Sequence, residues 1–267
     1  MVIYYAACAL ITLVALVILL CYFRSGRINF YFLILMLLMT FSNAGYLAVA
    51  LSTSVEEAVL ANKICYLDGC FIQPVTLLLI CAIANIKLPK WLSFAVGVIS
   101  FAMYAMVLSI GYSDIYYEDI WLERYGGATV LGHTYGSGHD LFYVMLVGHV
   151  LAQIGLLIYC FAKKKAVSRK SLWSLMILET VSVVSFLVGN FIEAEIEVLT
   201  VNYCINSWVL LYMYHRGMMY SLNDNIANTF SDEQKHCYIM FDKGMNYLGS
   251  SDNALSLFPE LSECTVD

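Results

Sequence analysis

Seven long apolar blocks occupy most of the chain between Val2 and Tyr214, at roughly Val2–Phe23, Ile28–Leu51, Ile64–Ile86, Trp91–Ile110, Leu141–Phe161, Leu172–Phe191 and Val198–Tyr214. At a helical rise of about 1.5 Å per residue, each is long enough for a hydrocarbon core of about 30 Å. A barrel strand alternates apolar and polar positions and never produces such runs. Glycine (16) and proline (3) are also too scarce to break the chain into the many strands of a barrel. With 61% hydrophobic and 13% charged residues, the chain is not a soluble globule, a disordered segment or a nucleic-acid binder. The expected fold class is an all-α integral membrane protein, a seven-transmembrane helix bundle.

Charge assigns the sides. Arg24 and Arg27 separate blocks one and two, and Lys87 and Lys90 separate three and four. Lys163, Lys164, Lys165, Arg169 and Lys170 separate five and six, and Arg216 follows block seven. None of these joints contains Asp or Glu. The alternate joints carry Glu56, Glu57, Asp114, Glu118, Asp119, Glu123, Glu193, Glu195 and Glu197, with Lys63 and Arg124 as their bases. By the positive-inside rule, ten bases against two put the N-terminus outside and the C-terminus in the cytoplasm, in a multi-pass plasma-membrane protein. Bases follow the first block rather than precede it, so it is not read as a cleaved signal sequence.

The outer segment from Gly111 to Gly138 is the long connection. Gly126-Gly127, Gly132, Gly136 and Gly138 frame Thr129-Val130-Leu131, which predicts a small hairpin or lid over the outer mouth. Tyr116, Tyr117, Trp121 and Tyr125 in this segment could close over a ligand. The tyrosines at block ends, among them Tyr4, Tyr22 and Tyr214, read as interfacial belt residues. Nine cysteines are scattered without CxxC or metal spacing and read as small buried hydrophobes. After the bundle (1–217), residues 218–230 read as a helical linker. Residues 231–267 read as a soluble α+β piece with strands near His236–Phe241 and Met245–Leu248 and a short helix at Ser251–Phe258.

Polar residues inside apolar blocks are costly and therefore informative. Counted from the outer boundary, Asn43, Gln73, His149, Glu179 and Asn206 lie roughly 12 to 19 Å deep, which predicts a shared polar layer with His149 and Glu179 as its charge pair. Pro74 leaves a carbonyl unpaired beside Gln73. Nearer the mouth, Asp68, His139, Asp140, Asn190, Asn202 and Tyr203, walled by Tyr46 and Tyr66, form a candidate ligand site open to the outside. The alternatives at these positions are interhelical hydrogen bonding and plain wetting.

No phosphate loop, HExxH, nucleophile elbow or His/Cys/Asp metal spacing is present, so no catalytic residue, metal or cofactor is expected. Block seven has no lysine for a retinal Schiff base, and the blocks do not divide into the repeats common in transporters. The residue-level reading leaves open a membrane receptor, a small-solute transporter or channel, and a structural membrane subunit that docks a partner through its tail.

One stretch carries a resemblance. Ala61-Asn62-Lys63-Ile64-Cys65-Tyr66-Leu67-Asp68-Gly69 followed by Pro74 resembles the third span of the N-terminal seven-transmembrane sensor region of bacterial histidine kinases, also found ahead of diguanylate cyclases. An acidic residue often follows the isoleucine in that family, and Cys65 stands there here. The junction from Leu211-Tyr212 through Arg216 to Leu222–Asn228 resembles a signalling helix. Ile239-Met240-Phe241-Asp242, Asn246, Asn253-Ala254 and Leu257-Phe258 resemble the start of a PAS domain. The resemblance implies a sensor in the bilayer that answers a small-molecule ligand, pairs as a homodimer through the signalling helix, and passes its signal to a cytoplasmic kinase or cyclase output. That output is expected downstream or on a partner chain, since the PAS-like piece stops short of a full domain.

Overall fold

The structure is a computed structural model that describes residues 1–23, 30–84, 86–162, 169–191, 197–231, 239–241, 247–250 and 252–263. Its long helices are α1 (Val2–Phe23), α2 (Phe30–Leu51), α3 (Val55–Ile83), α4 (Lys90–Leu108), α5 (Ser137–Ala162), α6 (Arg169–Phe191) and α7 (Leu199–Ser231). Among the described residues, five helices are long and apolar enough to cross a membrane: α1 to residue 22, α2, α3, α4 and α5. Helix α6 contributes a shorter apolar stretch, Trp173–Phe186, and α7 turns polar in its last turns. Large apolar side chains cover the outside of the bundle, such as Ile3 at 85% exposure and Phe94 at 74%. That surface has no place in water and suits lipid.

Helix α2 packs against α1, α3 and α7, and α7 in turn packs against α1 and α6. Helix α5 joins α3 to α6, and α4 rests on α3 and α5. The helices thereby surround an axis bounded by α2, α3, α6 and α7. One apolar cluster joins Ala15, Leu19, Leu35, Met36, Leu79, Leu157, Leu175 and Leu210 across six helices. A second, at the hairpin end, gathers Ala58, Val59, Val107, Leu131 and Phe142.

Helix α3 begins nine residues ahead of the apolar block that marked it. Ser54 Oγ accepts from the Glu57 N–H at 3.3 Å, while Glu57 Oε2 accepts from the Thr53 N–H at 2.8 Å. This reciprocal capping starts a helix in polar sequence, outside the reach of an apolarity count. Helix α7 likewise outruns its apolar block: the helical linker expected at residues 218–230 continues it without a break.

The expected outer hairpin is present as β1 (Tyr117–Tyr125) and β2 (Ala128–Tyr135), antiparallel, with Tyr125 opposite Ala128. Gly126 and Gly127 take φ of 54° and 80°, the left-handed pair that a two-residue turn with the right twist requires. In the tail, β3 (Ile239–Phe241) and β4 (Tyr247–Ser250) pair antiparallel and precede α8 (Asp252–Leu257). Among the described cysteines, Cys8, Cys65, Cys70, Cys81, Cys160 and Cys204 are buried thiols and Cys21 is an exposed one. Cys237 and Cys264 lie outside the described residues.

Close approach of α2 and α3 depends on Gly45. A Cβ there would stand 2.7 Å from Cys65 Sγ and 3.0 Å from the Cys65 backbone nitrogen. The thiol could swing aside but the backbone could not. Gly45→Val should therefore cost about 1 to 3 kcal/mol, read as a lowered thermal midpoint of the solubilised protein. An unchanged midpoint would show that α2 and α3 do not meet there.

Candidate ligand cleft

Asp68 on α3 is 1% exposed, and its Oδ1 has no hydrogen-bond partner among the described residues. The Tyr203 hydroxyl on α7 interacts with this carboxylate from one side and with Ser42 on the other. Ser42 donates to the Cys65 carbonyl at 3.4 Å. Tyr46 on α2 is half-buried in the electrostatic reach of Asp68, Tyr203 and Glu197, and stacks on Tyr5 at 6.4 Å. Asp68, Tyr203 and Tyr46 from the candidate ligand set are thus brought together between α2, α3 and α7.

Glu197 completes the outer end of this group, and sequence reasoning had placed it only as a loop charge. The Tyr4 hydroxyl donates to its carbonyl at 3.0 Å, and its N–H donates to the Tyr5 hydroxyl at 3.2 Å. Burial pushes its carboxyl above the ordinary value, while the Leu199 N–H at the start of α7 pulls it down. The cap explains its place, because an acid at a helix N-terminus satisfies an orphan donor.

The expected mid-membrane layer resolves into separate contacts. Asn43 Nδ2 donates to the Cys8 carbonyl at 3.4 Å and the Thr200 carbonyl at 3.3 Å, tying α2 to α1 and α7. Gln73 meets Gln153 of α5, whose Nε2 lies 2.8 Å from the Gln73 carbonyl and 2.7 Å from its Oε1. Asn202 and Asn206 both donate to Ser182 Oγ of α6, at 3.1 and 2.9 Å. His149 Nδ1 contacts the Met145 carbonyl of its own helix at 2.8 Å. The Glu179 side chain lies outside the described residues, as does that of Asn190. Gln153 and Ser182 were missed: Gln153, an amide among apolar neighbours about 18 Å from Leu141, falls in the same depth range and the count could have found it, whereas a helical serine usually bonds its own backbone. Gln73, Thr76, Ser182 and Asn206 line a cavity of about 30 Å³ whose remaining walls are apolar, including Leu35, Met39 and Leu210.

Three further candidates belong elsewhere. Tyr66 and His139 sit beneath the hairpin in an aromatic cluster. The Tyr66 and Tyr117 hydroxyls are 2.8 Å apart, Tyr135 stacks on His139 at 3.7 Å, and Tyr143 carries the ring contacts on to Phe186 of α6. Asp140 is exposed on the first turn of α5 and does not reach the cleft. Within the hairpin, Tyr116 and Tyr117 are buried but Trp121 and Tyr125 are exposed, because a register shift between Tyr117 and Ile120 breaks the two-residue alternation. Trp121 lies against Gly132 and donates to Glu123 Oε1 at 2.7 Å.

Residues 4–222 match the family described as the N-terminal 7TM region of histidine kinase. The chain belongs to that family. No curated protein matches it. The matched region is a membrane sensor input and not a catalytic domain. Among the described residues, no group of three or more His, Cys, Asp or Glu side chains is placed to hold a metal ion. Membership places the Asp68 group and the aromatic cluster within a signal-input bundle, and the match ends inside α7.

The hairpin of this sensor region should loosen in acid. His133 stacks on Tyr117 at 4.1 Å, and burial holds its imidazole below the usual range. A histidine that is harder to protonate folded than unfolded contributes stability that is complete above its unfolded value of about 6.5 and is lost as pH falls below it. Trp121 fluorescence and protease nicking of the hairpin should therefore change on acidification below about pH 6.5. His133→Phe, which keeps the stacked ring, should flatten that response; an unaltered pH profile in the variant would exclude His133 as its source.

Proposed function

We propose that this chain is a seven-span receptor module, N-terminus outside, that couples a small ligand in the Asp68 cleft to a cytoplasmic signalling output through α7. The carrying observation is the continuity of α7. From Leu199 it holds Asn202, Tyr203 and Asn206 along the bundle axis and then runs on to Ser231 as one helix of 33 residues. At 1.5 Å per residue that is about 50 Å, well beyond the hydrocarbon thickness. The inner joints between Arg24 and Arg27 and between Lys87 and Lys90 are too short to reach a distant output. Family membership supports the sensing role, and the charge bias of the joints supports the orientation. In this reading residues 231–267 are the start of a PAS-like domain, and pairing of two copies through the α7 extension aligns the outputs.

Orientation is tested with reporters. One fused after Arg216 should be active only in the cytoplasm, and one placed between Glu118 and Glu123 only outside; a reversed result at either point defeats the seven-span reading. Coupling is tested by helix phase in a receptor carrying an output domain. One residue inserted between Arg216 and Asn223 turns the downstream helix by about 100° and should lock or abolish signalling. Seven inserted residues bring it within about 20° of the original phase and should restore much of the response. Equal output from all three lengths would make the α7 extension a flexible tether.

A further inference from the structure

Along the bundle axis, buried acceptors outnumber the donors that reach them. Among the described residues, five buried side-chain oxygens there lack a partner: Asn43 Oδ1, Asp68 Oδ1, Gln153 Oε1, Asn202 Oδ1 and Asn206 Oδ1. All five are acceptors. Reversing the amides does not remove the imbalance, because Asn202 and Asn206 share one Ser182 hydroxyl, which has a single proton to give and lies 2.9 Å from the Leu178 carbonyl. The other unpartnered buried side-chain atoms, the Tyr116 hydroxyl and His139 Nδ1, belong to the cluster under the hairpin.

Charge points the same way. Asp68 is a buried carboxyl group, and among the described residues no basic side chain balances it; the neutral Tyr203 hydroxyl interacts with it. Lys63, the base nearest in sequence, lies over the Tyr112 ring at 4.9 Å. A single phenol compensates a desolvated carboxylate only in part. The Tyr46 side chain stands within electrostatic reach of Asp68 and Tyr203 and adds apolar and hydroxyl surface beside them. Asp68 stands five residues, about 7.5 Å, before Gln73 on α3. There the roughly 30 Å³ cavity, lined in part by Asn206, supplies neutral oxygens and apolar walls.

We infer that the ligand class of this cleft is a small protonated amine, its ammonium group held by Asp68 Oδ1 with the uncommitted amide oxygens as further acceptors. The inference rests on the receptor reading and narrows it. An anion would stand against the Asp68 carboxyl and the unpartnered amide oxygens, and a neutral apolar molecule would leave those oxygens without donors. The small cavity favours short alkyl substituents over bulky ones.

The test uses the whole chain in lipid nanodiscs and follows its thermal midpoint with methylammonium, ethanolamine, putrescine and tetramethylammonium, with sodium chloride and acetate at matched ionic strength. At least one N–H-bearing amine should raise the midpoint by several degrees at saturation. Asp68→Asn, which keeps the shape and removes the charge, should weaken that amine at least tenfold, whereas Asp140→Asn on the exposed turn should leave it unchanged. Tetramethylammonium, which has charge but no donors, should bind more weakly. Failure of every amine, an equal effect of sodium alone, or amine binding undiminished in Asp68→Asn overturns the inference. A folded Asp68→Asn protein, shown by a sharp unfolding transition, keeps the comparison valid. The two readings separate in a receptor with an output domain: amine binding without any change in output defeats the receptor reading alone, and an output answering only non-amine ligands defeats the amine inference alone.

Discussion

A polar group in hydrocarbon has no water to turn to, and the interior of this bundle is organised by where such groups find partners. Asn43 is the clearest instance. From α2 its amide nitrogen reaches the backbone carbonyls of Cys8 on α1 and Thr200 on α7, with Cys204 Sγ at 3.7 Å. Backbone carbonyls in a helix are already committed to the ladder, so these contacts use second lone pairs and hold three helices without breaking any of them. Between helices already surrounded by lipid, apolar burial supplies little net attraction, and close packing with a few hydrogen bonds does the joining. Gly45 and the Asn202–Ser182–Asn206 group serve the same end by different means: one removes side-chain bulk, the other shares one hydroxyl between two amides.

The outer end is organised by aromatic rings instead. The hairpin stands on α2 and α3, and its buried tyrosines interlock with Tyr66 of α3, with His139 and Phe142 of α5, and through Tyr143 with Phe186 of α6. Edge-to-face and stacked rings fix relative orientation more strongly than aliphatic contacts do. The hairpin is thus bound to α3, α5 and α6, and its turn end also packs against Tyr5 of α1 through Ala128. The α1 side is closed by Tyr4, Tyr5 and the cap at Glu197.

Much of this was legible in the sequence, and the limits have physical causes. Block length and apolarity located the helices, because burying a backbone in lipid demands a helix. They misplaced the start of α3 and the end of α7, since helix boundaries outside the bilayer are set by caps and propensity. Counting residues inward gave the depths of Gln73 and Asn206 but not the direction each faces. At 100° per residue, direction depends on helix rotation, which only packing determines. Gln73 accordingly meets Gln153 of α5 and shares a cavity with Asn206, while Asn43 turns toward α1 and the start of α7. The hairpin was predicted from its glycines, but which tyrosines face inward was not, because a bulge is invisible to period-two counting. Asp68 was marked by its own chemistry: a carboxylate amid apolar neighbours is informative wherever it points.

Helix α7 is where these constraints meet. Its outer end is pinned to α1 by the Tyr4 and Tyr5 contacts at Glu197 and by Thr200 Oγ1 at 2.8 Å from the Tyr4 hydroxyl. Just below, consecutive residues diverge: Asn202 faces Ser182 of α6, and Tyr203 faces Asp68 of α3. A new partner for Asp68 alters the demand on Tyr203, and a helix held at its top cannot answer by sliding freely along its axis. What remains is rotation or tilt about the pinned end. That motion would shift Asn202 and Asn206 against the single hydroxyl to which both donate. Packed helices change by small discrete shifts. Because α7 runs unbroken to Ser231, a small tilt at Tyr203 becomes a larger displacement at its far end, in proportion to the distance from the pin.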